Sequence, residues 1–179
     1  MLYLKKKMVK KLSIILLVGL FFFIFYISYV GVETNAFNKN IKERVKNSNQ
    51  DLNVNFSKVK IFLKLTKLEF DVKLIDVNFN YDNSYIYLTK LNTVLSIKNF
   101  FQGKYPIKYV DIGVNNIKIR EIINLINKFE KFPILIVLRQ VLKAGNIDGE
   151  AKLFFDSNGK IKNNYKIEGF LQNVDIELL

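Results

Sequence analysis

Carboxylates, lysines, tyrosines and hydroxyls are the groups this chain can bring to chemistry, because its 179 residues include no histidine and no cysteine. That removes the usual zinc site, the cysteine nucleophile and the histidine base. It also removes a disulfide framework and any lipid-modifiable cysteine. The carboxylates that could still be imagined in catalysis are Asp148, Glu150 and Asp156. They flank Asp156-Ser157-Asn158-Gly159, where Asp and Asn are turn formers. The expectation is a non-catalytic protein with no metal and no cofactor.

The elements must therefore explain the chain by binding or by architecture. The formal charge is +12, and Lys5, Lys6, Lys7, Lys10 and Lys11 all precede residue 12. The remaining lysines are spread evenly among Asn and Ile, with no Arg and aromatic cluster, so no nucleic-acid partner is expected.

After the lysines comes LSIILLVGLFFFIFYISYVGV, Leu12 to Val32, which carries no charge. As a helix its length is about 31 Å, the thickness of a bilayer's hydrocarbon core. The lysine cluster favours keeping the N-terminus in the cytoplasm and placing Glu33 onward across the membrane. Tyr26 and Tyr29 fall near the far interface, where amphipathic rings concentrate. A cleaved signal peptide would carry a shorter apolar region, and Thr34-Asn35-Ala36 is a poor cleavage site. The chain thus divides into a cytoplasmic basic tail (1–11), a transmembrane helix (12–32), a polar linker or short helix (33–51) and a β-rich ectodomain (52–179), itself complete or the start of a longer β region.

Phe37, Ile41 and Val45 predict one apolar side of a short helix. The period then changes to two. Leu52, Val54 and Phe56, followed by Val59, Ile61, Leu63 and Leu65, predict a strand or a bent pair. In KLEFDVKLIDVNFNY, 67–81, apolar residues hold one parity through Leu74 and the other from Ile75. This predicts one long strand with a bulge near Leu74-Ile75, or else two shorter strands meeting at a tight corner. Asp82-Asn83-Ser84 is a turn, and Tyr85, Tyr87, Thr89 and Leu91 begin the return strand. Ser96 can cap a brief helical turn ended by Gly103. Val110, Ile112 and Val114 start a further strand, continued by Ile117 and Ile119. Residues 120–143 read as helix in two pieces broken at Pro133. Ala151, Leu153 and Phe155 lead into an Asn-Gly hairpin, and Tyr165, Ile167 and Gly169 and then Val174, Ile176 and Leu178 read as strands.

The fold class expected is an N-terminal transmembrane helix plus an α+β, mostly β ectodomain. Its layout, and the segments NKNIKERVKNSNQDLNVNFSKVKIFL, LSIKNFFQGKYPIKYVDIGVNNIKI and GNIDGEAKLFFDSNGKIKNNYKIEGFLQNVDIEL, resemble the N-terminal part of the AsmA-like family of Gram-negative bacteria. The resemblance implies a twisted, taco-like antiparallel sheet, anchored in the inner membrane with its bulk in the periplasm. It further implies an apolar face carrying phospholipid between inner and outer membranes without catalysis. The candidate lipid-groove residues are Leu68, Phe70, Val72, Leu74, Val77, Phe79, Val110 and Ile112. Membrane phospholipids and envelope proteins are the expected partners. The rival reading is a membrane-anchored scaffold of an envelope complex for division, secretion or outer-membrane assembly. It predicts a closed core and no bound lipid, with Leu68, Phe70, Val72, Leu74, Val77 and Phe79 packed under helix 120–143.

Overall fold

The structure is a computed structural model that describes residues 2–48, 50–81, 84–129 and 140–177. Helix α1 (Leu2–Tyr29) is followed by β1 (Val32–Thr34), α2 (Asn38–Ser48), β2 (Leu52–Asn55) and β3 (Lys58–Lys64). A single 3-10 turn, Leu65–Lys67, leads to β4 (Glu69–Ile75), β5 (Val77–Tyr81), β6 (Ser84–Ser96) and α3 (Ile97–Phe101). The remaining elements are β7 (Ile107–Lys118), α4 (Ile119–Phe129), β8 (Leu142–Phe154) and β9 (Lys166–Ile176). Among the described residues the strands form one antiparallel sheet in the order β1-β3-β4-β6-β7-β8-β9, with β2 and β5 extending it beside β6. The molecule is a mostly antiparallel β structure behind one N-terminal helix whose Lys10–Tyr29 stretch is long and apolar enough to cross a membrane.

Helix and sheet are joined almost without a linker. α1 ends at Tyr29, and Val32 already pairs with Ile61 in β3, as Thr34 does with Val59. Gly31 has φ +77, and a Cβ there would fall 2.8 Å from the Phe62 ring and 3.1 Å from the Ile61 carbonyl oxygen. Only glycine suits both that torsion and that approach. The expected transmembrane segment reached Val32; the helix stops earlier because β1 claims Val32–Thr34, part of what the sequence assigned to a polar linker.

The slip at Leu74-Ile75 is resolved differently from the predicted bulge. Pairing of β4 and β5 with β6 keeps one register throughout, from Glu69↔Ser96 through Leu74↔Leu91 and Val77↔Leu88 to Tyr81↔Ser84. Pairing with β3 and β2 is equally continuous, from Lys64↔Glu69 to Leu52↔Tyr81. No residue is inserted. Instead Asp76 sits at φ +55, in the left-handed region, opposite the break between β2 and β3. A residue outside the β region turns the strand about its axis, so side chains beyond it exchange faces. Val72 and Leu74 on one parity therefore pack with Val77 and Phe79 on the other, in one cluster with Val54, Phe56 and Val59. In β6 the same change is absorbed beside Thr89, where the register with β7 shifts between Leu88↔Val114 and Lys90↔Gly113. A Cβ at Gly113 would lie 2.9 Å from the Thr89 hydroxyl, so the bulge depends on a missing side chain.

The cover over this cluster is not the helix predicted at 120–143. α2 supplies it, laying Ile41 and Val45 against the buried Val54, Phe56, Val59 and Val77. Each fully buried side chain of this kind contributes roughly 1.5–3 kcal/mol. Phe37, expected on the same helical side, precedes α2 and is exposed. α4 instead packs Ile119 and Ile123 with Leu142 in a second cluster, joined by Val174. The predicted helix also runs too far, since Leu142 begins β8, nine residues before the strand expected at Ala151. Pairing of Leu142 with Ile176 in β9, joined by β7 from Asn146 onward, decides this stretch against its apolar helical pattern. The predicted break at Pro133 lies outside the described residues. The two terminal strands expected from Tyr165 onward are one strand, β9, at the edge of the sheet.

Candidate functional site

The register places most of the candidate groove residues in cross-strand rows on one face. Leu63, Phe70 and Leu95 form the first row, Ile61, Val72 and Thr93 the second, and Val59, Leu74 and Leu91 the third. Val110 continues the second row between Thr93 and Leu153, and Ile112 the third between Leu91 and Ala151. Val77 is buried, while Val72, Leu74, Phe79, Val110 and Ile112 are partly exposed and Phe70 is exposed. Openness thus increases from the α2-covered cluster toward the Leu63–Phe70–Leu95 row. Leu68 is the exception. It lies off the sheet as the residue ending the 3-10 turn, with φ +51, and it is exposed.

The open row lies at the end of the sheet where α1 joins it. β1 runs antiparallel to β3, so the chain before Val32 heads toward Lys64 and the β3–β4 turn. α1 packs on β3, and Ile24, Ile27 and Ser28 are partly covered on an otherwise exposed apolar helix. Glu33 secures the junction, lying 3.2 Å from Lys60 and 3.6 Å from Lys58. The hydrogen bond from Lys60, then its charge, hold the Glu33 carboxyl below its ordinary range. Of the lysines that set the expected topology, Lys5, Lys6 and Lys7 lie in the first turns of α1, and Lys10 and Lys11 open its apolar stretch.

The opposite face carries charge in a lattice. Lys64 donates to Asp71 at 2.6 Å, Lys108 to Glu69 at 2.5 Å, and Lys90 bridges Asp111 and Glu150, each at 2.9 Å. The bond to Asp71 pushes the Lys64 ammonium up, and those to Asp111 and then Glu150 do the same for Lys90. Glu69 is only 6% exposed, and a carboxylate that deep requires such a partner. Lys152 lies 4.1 Å from the Tyr109 ring centroid. Between Asp71 and Tyr109, Val94 is buried on this polar face. Near the β3–β4 turn the lattice opens into a cleft of about 850 Å³, whose lining includes Lys64, Lys67, Glu69, Lys108, Tyr109 and Phe154. Sequence reading missed this cleft. The only signal was the polar parity of Glu69, Asp71 and Lys73, and nothing in the order of residues announces Lys108 as the partner of Glu69.

The three carboxylates considered for catalysis are each held separately. Asp148 accepts from the Asn116 amide and from Gln172 Nε2 at 2.6 Å. Glu150 is engaged by Lys90. Asp156 accepts from the amides of Asn158 at 2.8 Å and Lys160 at 2.9 Å, as a turn-forming aspartate does. Those amides, Lys160 first, hold its carboxyl below the ordinary range. Among the described residues no three acidic side chains converge as metal ligands.

No protein-family model, no curated protein and no solved structure matches this chain.

Proposed function

We propose that the chain is an AsmA-like, single-pass protein of the bacterial inner membrane that handles phospholipid on the apolar face of its sheet, without catalysis. In this reading the N-terminus is cytoplasmic, the sheet stands in the periplasm with taco-like curvature, and acyl chains pass along it between inner and outer membranes. One observation carries the reading: the apolar rows begin beside the exit of α1 and are least covered there, while α2 caps only the far cluster. Hydrocarbon leaving the bilayer would meet Phe70 in the first row and then Val110 in the second. Burial at roughly 25 cal/mol per Å² rewards any acyl chain and is indifferent to the headgroup.

The test places a photoreactive amino acid at Phe70 or Ile112, and as control at Lys73 on the opposite face, in the full chain in native membranes. Lipid adducts identified by mass spectrometry at Phe70 and Ile112 but not at Lys73 are expected. Equal adducts at all three sites, or none at Phe70, would overturn it.

A scaffold role is favoured by a different feature. β9 is exposed along nearly all its length, including Ile167, Phe170 and Ile176, and its outer edge is unpaired among the described strands. Such an edge accepts a strand from an envelope protein partner.

A further inference from the structure

We propose that the tip of the β3–β4 hairpin together with α3 is a docking surface for an anionic bilayer, a second attachment of the sheet beside α1. The surface consists of Leu65, Lys67 and Leu68 from the tip, with Lys98, Phe100 and Phe101 from α3. All six side chains are exposed, Phe101 by 82%. Its two parts are fastened together, since the Ile97 amide donates to the Leu68 carbonyl at 3.0 Å. Ser96 caps α3 by accepting from the Asn99 amide at 3.2 Å. The two phenylalanines meet edge to face with centroids 5.7 Å apart.

Position names the occupant. Antiparallel pairing of β1 with β3 brings the end of the membrane helix to the Lys64 end of β3, and the tip continues from Lys64. The exposed apolar side chains thus lie at the level where α1 leaves the hydrocarbon. Elsewhere in solvent such a patch would be a liability, but at an interface Leu and Phe insert while lysine stems reach the headgroups. Charge agrees, because Lys67 and Lys98 enter no ion pair among the described residues, leaving them for anionic headgroups. Such lysines favour an anionic surface by about 1 kcal/mol each, roughly fivefold in affinity. The tip also holds Leu68 at φ +51, a conformation costly for a bulky side chain, and leaves that side chain 54% exposed. The inference stands independently of lipid handling on the sheet face.

The chain contains no tryptophan, so Phe101→Trp creates a sole tryptophan, excited selectively at wavelengths its nine tyrosines do not absorb. The full-length variant is reconstituted in vesicles of brominated phosphatidylcholine, with and without phosphatidylglycerol. Its emission should be blue-shifted and quenched, more strongly with phosphatidylglycerol. Adding Lys67→Glu and Lys98→Glu should remove that difference. Tyr87→Trp, at the other end of the sheet, should stay water-like in both vesicles. Water-like emission from Phe101→Trp in both compositions would overturn the proposal and point to a protein partner for the patch. Quenching indifferent to lipid charge would overturn the anionic assignment. Neither outcome depends on adducts at Phe70, which lies in the sheet and not on the tip.

Discussion

Ser57 donates its hydroxyl to the Asp76 carboxylate at 2.8 Å, while its amide donates to the Ile75 carbonyl at 2.9 Å. The two residues stand at the breaks of adjacent strand pairs, β2/β3 and β4/β5. Each bond therefore ties one strand's turnover to its neighbour's, and the apolar face changes parity in both at the same row.

Asp76 should consequently be sensitive to the kind of residue that replaces it. Asp76→Gly keeps the left-handed torsion and loses the hydrogen bond, at about 1 kcal/mol. Asp76→Val adds the cost of a β-branched residue in that region, a further 1–2 kcal/mol or so. Thermal unfolding should rank wild type above Gly and Gly above Val. A Val variant as stable as the Gly variant would show that the torsion carries no strain.

The clasp between β1 and β3 should weaken in acid. The Glu33 carboxyl is held below its ordinary value of 4.5 by Lys60 and then Lys58. A depressed carboxyl stabilises the fold fully above its unfolded value and loses that contribution as pH falls through the folded one. The advantage of wild type over Glu33→Gln should thus be complete at neutral pH and disappear as pH drops below 4.5. A constant gap between the two unfolding curves down to the acid limit would exclude the clasp as its source.

Leu68 offers a separation of stability from membrane docking. Leu68→Gly relieves about 1–2 kcal/mol of left-handed strain against glycine's unfolded-state entropy of about 0.5–1 kcal/mol and the loss of a half-covered side chain, so unfolding should be no easier than in wild type. Quenching of the Phe101→Trp probe by brominated lipid should fall at the same time. A variant that is less stable than wild type would mean that Leu68 packs against the protein.

Legibility in the sequence followed how local each cause is. The uncharged run of α1, the Ser96 cap and the Asp156 turn were readable because near neighbours decide them. The parity slip in KLEFDVKLIDVNFNY was visible too, but not its form, because a bulge and a left-handed residue leave the same trace in the alternation. What distinguishes them is the register with β3 and β6, which residues far along the chain determine. Coverage was least legible. Ile41 and Val45 and the helix after Ile119 both offer apolar sides, and only tertiary packing assigns the first to the Val59 cluster and the second to Leu142. Leu142–Glu150 misled for a related reason: an apolar approach followed by small and polar residues becomes strand when β9 pairs along it and β7 joins from Asn146. For the candidate site, the alternation names Phe70, Val72, Leu74, Val110 and Ile112 among the row residues but not their neighbours across the strands, and Glu69 with Lys108 joins positions 39 residues apart.

The junction at Gly31 has a mechanical meaning. With β1 fastened to β3 directly after the helix, the sheet has no hinge of its own and leans as the helix leans. β6 has 13 residues and is about 43 Å long, measured from the α1 end at Ser96 to the far end at Ser84. A change of 20° in helix inclination, an ordinary tilt for a single span, would sweep that far end sideways by about 15 Å. On the proposed membrane reading, bilayer thickness is thereby converted into the aim of the sheet through the rigid joint at one glycine.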